Sequence, residues 1–152
     1  MTDIRLIPAE EILTIIPLLN VLNPKIPAAV QATRLTEMVA QGYRCVGIFE
    51  GEKLVGCSGL WIITKYYVGR HLEPDNVIIL PEYRGHGLGK RLMQWIYDYA
   101  IANGCVASEL NCYVGNSAGQ KFWLNEGYKI LGFHNQKQLL IPEKEHADES
   151  TC

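Results

Sequence analysis

Val77-Ile78-Ile79-Leu80-Pro81-Glu82-Tyr83-Arg84-Gly85-His86-Gly87-Leu88-Gly89-Lys90 is the stretch on which the reading of this chain turns. Val77 to Leu80 is a short apolar, β-branched run of the kind that makes a buried strand. Leu88, Leu92, Trp95, Ile96 and Tyr99 then repeat at helical spacing, the pattern of a helix packing on a sheet. Between them stand glycines at 85, 87 and 89. They remove β-carbons from one side of the turn, so that backbone can approach a ligand closely. The first N–H groups of the helix have no partner within it, and the positive end of its dipole lies behind them. Such a turn suits a phosphate or diphosphate, and Arg84 adds positive charge at its mouth. It is not a P-loop, because Arg91 stands where a magnesium-binding hydroxyl belongs. Nor is it the dinucleotide fingerprint, whose third glycine would fall at Lys90.

A second motif follows at a distance. Asn116-Ser117-Ala118-Gly119-Gln120-Lys121-Phe122-Trp123-Leu124-Asn125-Glu126-Gly127-Tyr128, together with Arg84-Gly85-His86-Gly87-Leu88-Gly89, resembles the two motifs of the GNAT family of N-acetyltransferases. The first looks like the Arg/Gln-x-x-Gly-x-Gly/Ala loop, whose amides in that family hold the diphosphate of acetyl-CoA. The second is similar to Asn-x-x-Ala-x-x-Phe/Leu-Tyr-x-x-x-Gly-Phe/Tyr. The resemblance implies an α/β fold with a central mixed, mostly antiparallel twisted sheet, flanked by helices and splayed between the fourth and fifth strands.

It also implies the activity. The chain is expected to transfer the acetyl group of acetyl-CoA, as cosubstrate, to a primary amine of a small molecule or protein, by direct attack through a tetrahedral intermediate. The cofactor-binding residues it implies are Ile78, Ile79 and Leu80, along which the pantetheine arm pairs; Arg84, Gly85, His86, Gly87, Leu88, Gly89 and Lys90 at the diphosphate; and Asn116 and Trp123. The amide of Ile79 or Leu80 would be the oxyanion donor. Asn116 also reads as an N-cap for the helix at Ser117.

Trp123 departs from the family pattern, which has a tyrosine there to protonate the leaving thiolate. An indole N–H cannot act as an acid near neutral pH. Tyr113, Tyr128 or water would replace it, or the thiolate would leave without help. An alkylammonium has a pKa of ~10.4 and must lose a proton before it attacks. Candidate bases are His71, Glu73 and Asp75, with Asn76 acting through water; Glu109, Asn111 and Tyr113 share one face of the following strand. Asp75, Glu73 and Tyr113 are taken as the catalytic candidates. A competing reading is an acyl-CoA-binding sensor with little turnover.

Composition sets the bounds. With 152 residues, 48% hydrophobic and 20% charged, the chain fits one soluble domain, assigned to 1–141. Of 14 basic and 16 acidic residues, the segment 142–152 holds Lys144 against Glu143, Glu145, Asp148 and Glu149, leaving 13 and 12 elsewhere. That balance gives no nucleic-acid footprint. No apolar run spans a membrane and Met1 to Arg5 lacks a signal-peptide layout, so a cytoplasmic location and no membrane partner are expected. A monomer or homodimer is expected. Cysteines at 45, 57, 105, 112 and 152 are odd in number without CxxC spacing, and His71, His86, His134 and His146 are scattered, so neither a disulfide framework nor a metal is indicated.

The remaining pattern predicts a strand at 4–7 and a helix over 9–20 interrupted by Pro17. A helix over 28–40 follows, then strands at 43–49 and 54–64. Residues 66–75 read as a partly extended connection, and 77–80 as the strand before the glycine turn. The helix from Leu88 runs to about residue 103. After it come a strand over 106–114, a helix over 117–125 and a final hairpin over 128–141. The tail 142–152 is acidic and expected to be disordered. Deleting 142–152 is expected to leave the melting temperature and CoA affinity nearly unchanged, because so polar a segment buries little; a loss of several degrees in a thermal melt would show that it docks.

Overall fold

A computed structural model describes residues 1–140. The tail expected to be disordered, and the end of the expected hairpin at Ile141, lie outside the described residues. Strand β1 (Thr2–Ile7) is followed by a 3-10 helix (Ala9–Ile15), helix α1 (Ile16–Leu22) and helix α2 (Ala28–Ala40). Strands β2 (Arg44–Glu50), β3 (Lys53–Lys65) and β4 (Gly69–Ile79) come next, then a 3-10 turn (Pro81–Tyr83) and helix α3 (Leu88–Ala102). Strand β5 (Ala107–Ser108) and helix α4 (Ser117–Asn125) complete the described order.

The five strands lie in the order β1-β2-β3-β4-β5. The first four are antiparallel neighbours, and β5 runs parallel to β4. One face packs on α3 through Val46, Val55, Leu60, Leu72, Leu92, Met93 and Ile96, with Trp123 of α4 in the same core. The other packs on the 3-10 segment, α1 and α2 through Ile15, Leu19, Leu35, Tyr43, Cys45 and Cys57. Cys45, Cys57, Cys105 and Cys112 are all free thiols.

Four expectations need correction. The helix over 9–20 is two segments: Pro17 does not end a helix but sits in the first turn of α1, where its missing N–H costs nothing. Of residues 66–75, only the turn at 66–68 is a connection. Gly69 to Ile79 is one strand, paired with β3 from Lys65↔Gly69 to Gly56↔Ile79. The strand over 106–114 shrinks to Ala107 and Ser108, because only His71 and Leu72 of β4 accept it as a partner. The hairpin over 128–141 does not form among the described residues; Ile130, Leu131 and Phe133 are exposed there.

Strand β4 carries the one irregularity that shapes the site. Between the pairs Gly59↔Asp75 and Cys57↔Ile78, β3 advances two residues and β4 three. This is a β-bulge, and Asn76 takes it up with a φ of 52°, a left-handed conformation that asparagine tolerates better than most residues. Opposite the bulge, a β-carbon on Gly59 would fall within the ring of Tyr43, which is fully buried and lies 5.1 Å from the Trp61 ring, centroid to centroid. Gly59→Ala is therefore expected to lower stability by about 1–3 kcal/mol, as overpacked sites do. Chemical denaturation tests this; a change under about 0.5 kcal/mol, within the ordinary surface range, would mean that the Tyr43 ring simply swings aside.

Candidate active site

The extra residue at the bulge sets which side chains share a face. Before it, Leu72 faces α3, while Trp61, opposite Glu73, packs on the α1–α2 side. Alternation along a strand then puts His71, Glu73 and Asp75 in one column on the α1–α2 side. After the bulge, Val77 and Ile79 face α3 and Ile78 and Leu80 face the other way.

Strand β4 keeps its fifth-strand partner only at its start. Val106 donates its N–H to the carbonyl of Arg70 at 2.9 Å, and Glu109 to that of Leu72 at 3.1 Å. Beyond Leu72 the two chains part. The Leu80 N–H donates to the carbonyl of Val55 on β3 at 2.9 Å, so it is already engaged. Backbone groups alternate along an antiparallel strand, which turns those of Ile79 away from β3 and toward the gap. In keeping with this, the Ile79 carbonyl accepts from Arg84 Nε at 2.8 Å. Of the two amides expected as oxyanion donors, the one aimed at the gap is that of Ile79.

The glycine turn closes the strand end of this gap. Gly85 and Gly87 have φ of 81° and 76°, and a β-carbon at either would meet nothing within 4 Å. The first helical bond of α3 is from the Arg91 N–H to the Gly87 carbonyl, so the amides of Leu88, Gly89 and Lys90 precede it. The Leu88 side chain is buried in the core, while His86 is exposed. A cluster of free amides facing open space at a helix N-terminus fits a diphosphate.

At the start of the gap stands a charged cluster. His71 is fully buried, with Nδ1 3.1 Å from the Gly69 carbonyl and Nε2 2.7 Å from Glu73 Oε2. A carbonyl can only accept, so Nδ1 carries a hydrogen. Lys65 Nζ lies 3.2 Å from the same Glu73 oxygen, and the Tyr67 hydroxyl donates to Glu109. Burial pushes the Glu73 carboxyl up, but the hydrogen bonds from His71 and Lys65, with their charge, outweigh it and hold it below the usual range. His71, Glu73 and Glu109 present donor atoms within 4.8 Å of one another. Their carboxylates are partnered by Lys65, His71 and Tyr67.

Asp75 is placed differently. Trp61 Nε1 donates to its Oδ2 at 3.1 Å. Burial raises its carboxyl above the usual range, the hydrogen bonds from Trp61 and the Asn76 backbone pull it partly back, and the Glu73 charge pushes it up again. Two carboxylates two residues apart are thus shifted in opposite directions. A cavity of about 140 Å³ lies beside them, lined by Trp61, Glu73, Pro74, Asp75 and Asn111. Asn111, on the chain leaving β5, makes it span the two sides of the gap. Trp61 went unnoticed in the sequence; its only signal was a place on the strand that pairs with 69–79.

The second motif is built around α4. The Asn116 side chain accepts from the Gly119 N–H at 2.9 Å and so caps this helix. Trp123 is 5% exposed, its ring edge-on to Phe122 at 4.9 Å and to Tyr128 at 5.4 Å between centroids. Of the two candidate tyrosines, Tyr128 shares a hydrogen bond of 2.6 Å with Ser108, and burial first of all raises its hydroxyl above the ordinary value. Tyr113 is the more accessible, at 37% exposed.

Known proteins align with this arrangement. Over 95 residues the chain is 26% identical to a thialysine N-epsilon-acetyltransferase of Mus musculus, covering 62% of this chain and 53% of that one. Over 67 residues it is 31% identical to an aminoalkylphosphonate N-acetyltransferase of Salmonella typhimurium, covering 44% of each. The chain thus spans about half the length of the curated relatives it matches. An aminoglycoside N-acetyltransferase solved in complex with CoA superposes with a TM-score of 0.72 at 18% identity, covering 95% of both chains, a likeness of fold. The sequence pattern of the acetyltransferase (GNAT) family matches residues 17–128. Together with the strand, glycine turn and helix around the gap, this match shows that the chain belongs to the GNAT family of acetyltransferases.

Proposed function

We propose that the protein is an acetyl-CoA-dependent N-acetyltransferase acting on a primary amine of a small molecule or protein. The reading is supported by one juxtaposition: the strand that carries Asp75 and its cavity loses its β5 partner after Leu72 and runs on into the glycine turn at 85–90. Bound acetyl-CoA would supply an activated acetyl thioester. The amides of Leu88, Gly89 and Lys90, with Gly85, His86 and Gly87, would hold its diphosphate, and Arg84 would add charge there. The Ile78–Leu80 edge would take the pantetheine arm, with Asn116 fixing the loop on the far side and Trp123 packing beneath it.

The chain's own residues then divide the proton work. Asp75, with its raised carboxyl, is the general base that takes a proton from the acceptor ammonium. Glu73, tied to His71 and Lys65, stays ionised as a fixed negative charge. The Ile79 N–H donates to the oxygen on which negative charge develops. Tyr113 is the group that returns a proton to the departing thiolate.

Two measurements test this. Gly87→Asp puts a negative charge where the diphosphate is held, and acetyl-CoA affinity by calorimetry is expected to fall at least tenfold, about 1.4 kcal/mol; unchanged affinity in the folded variant would sink the placement. Asp75→Asn is expected to lower kcat by about 100-fold or more with acetyl-CoA affinity retained. Because a base works only when deprotonated, wild-type kcat should fall as pH drops through a point above the usual carboxylate range, and that limb should vanish in the variant.

A further inference from the structure

The cavity beside Asp75 says more about the acceptor than the reaction class does. None of its five lining residues, Trp61, Glu73, Pro74, Asp75 and Asn111, is basic. Three carboxylates face this region: Glu73 and Asp75 on β4, and Glu109 on the chain leaving β5. The groups that answer them are Lys65 at the end of β3, Tyr67 in the turn and His71. Lys65 and His71 both bond Glu73, and Tyr67 bonds Glu109. Three carboxylates against one lysine and one histidine leave the cluster at least one negative charge in excess, and among the described residues Asp75 is answered only by the Trp61 and Asn76 N–H groups.

The hydrogen-bonding capacity of the cavity points the same way. Ionised carboxylates only accept. The indole N–H of Trp61 is engaged by Asp75, so what this lining residue has left for a ligand is its aromatic ring, a group that attracts cations. Besides that engaged N–H, the Asn111 amide is the one donor among the lining side chains. An anionic group entering this volume would meet no arginine fork and no lysine, and would be stripped of water beside two like charges.

We infer that the acceptor is a compact amine bearing a second cationic group, and that amines bearing a carboxylate or phosphonate close to the reacting nitrogen are excluded. This rests on the N-acetyltransferase reading and deepens it. One nitrogen gives its proton to Asp75. The second cation lies against Glu73, roughly 7 Å along the same face of β4, where it displaces the half-exposed Lys65 ammonium from that carboxylate, and beside Trp61. Glu73 and Trp61 become specificity residues.

The test uses the full chain with acetyl-CoA and four acceptors on one short carbon chain: diaminopropane, propylamine, β-alanine and aminopropylphosphonate. Thiol release is followed for each, and binding of each to the protein–CoA complex is measured separately by calorimetry. Diaminopropane is expected to exceed propylamine at least tenfold in kcat/KM and the two anionic amines by more, with the advantage shrinking as salt rises. Glu73→Gln should reduce the diamine's advantage over propylamine; if that variant misfolds, Trp61→Leu, which removes the aromatic ring beside the same position, should reduce it instead. Thiol release with β-alanine or aminopropylphosphonate equal to that with the diamine overturns the inference while leaving N-acetyl transfer standing. If no acceptor releases thiol but diaminopropane still binds the CoA complex in preference to the anions, the acceptor class holds and the transfer reading fails. Absence of any diamine preference in both assays overturns the inference.

Discussion

Strand β4 has a neighbour on each side but serves both for only two residues. Its pairing with β3 runs the length of the strand, whereas its pairing with β5 is confined to His71 and Leu72. A sheet interior that loses one partner exposes backbone donors and acceptors, which ordinarily must be satisfied. Here the exposed edge is answered in part by Arg84, whose guanidinium holds the Ile79 carbonyl. The departure of β5 thus makes room and leaves hydrogen-bonding capacity in it. The apolar layers on both faces keep that room open, because β4 is clamped between the α3 core and the α1–α2 core and cannot collapse sideways into the gap.

The electrostatics follow from the same strand. Glu73 and Asp75 differ little in chemistry and by one pleat in position, yet their surroundings drive them apart: Glu73 receives Lys65 and His71, while Asp75 receives an indole and burial. Two titratable groups separated in this way can take different tasks, one a permanent charge and the other a proton acceptor. The cost of burying Glu73 is met by a fully buried imidazole that is itself anchored to the Gly69 carbonyl. The cluster is therefore fixed by backbone at one end and open to the cavity at the other.

The local signals in the sequence were sufficient for helices α2, α3 and α4 and for the glycine turn. The 3.6-residue pattern of Ala28–Ala40, bounded by Pro27 and Gln41-Gly42, gave that helix its observed limits, and Leu88 onward did the same for α3. Where a non-local partner decides, the reading failed. Pro74-Asp75-Asn76 looks like a loop, yet β3 recruits it into a strand by offering Leu60 and Gly59 across the ladder. The run 106–114 has strand propensity but lacks a partner past Ser108. The apolar residues after Tyr128 alternate as a hairpin would, yet they pair with no strand among the described residues. In the site, the residue types were visible, since Glu73 and Asp75 stood out as carboxylates near the turn. Their opposite environments were not, because Trp61 and Lys65 reach them from a strand whose register no local pattern encodes.

The bulge at Asn76 bears on what kinds of change the chain can absorb. Because side-chain direction alternates, the count of residues between Asp75 and Ile78 determines whether Ile78 is greasy filling for one core or an intruder in the other. A substitution at position 76 disturbs one φ angle. A deletion there would rotate every later residue of β4 by half a turn, exchanging Ile78 with Ile79 and turning the Ile79 amide toward β3. The strand is thus more tolerant in composition than in length, and the spacing from the carboxylate column to the glycine turn behaves as a fixed ruler between the two halves of the site.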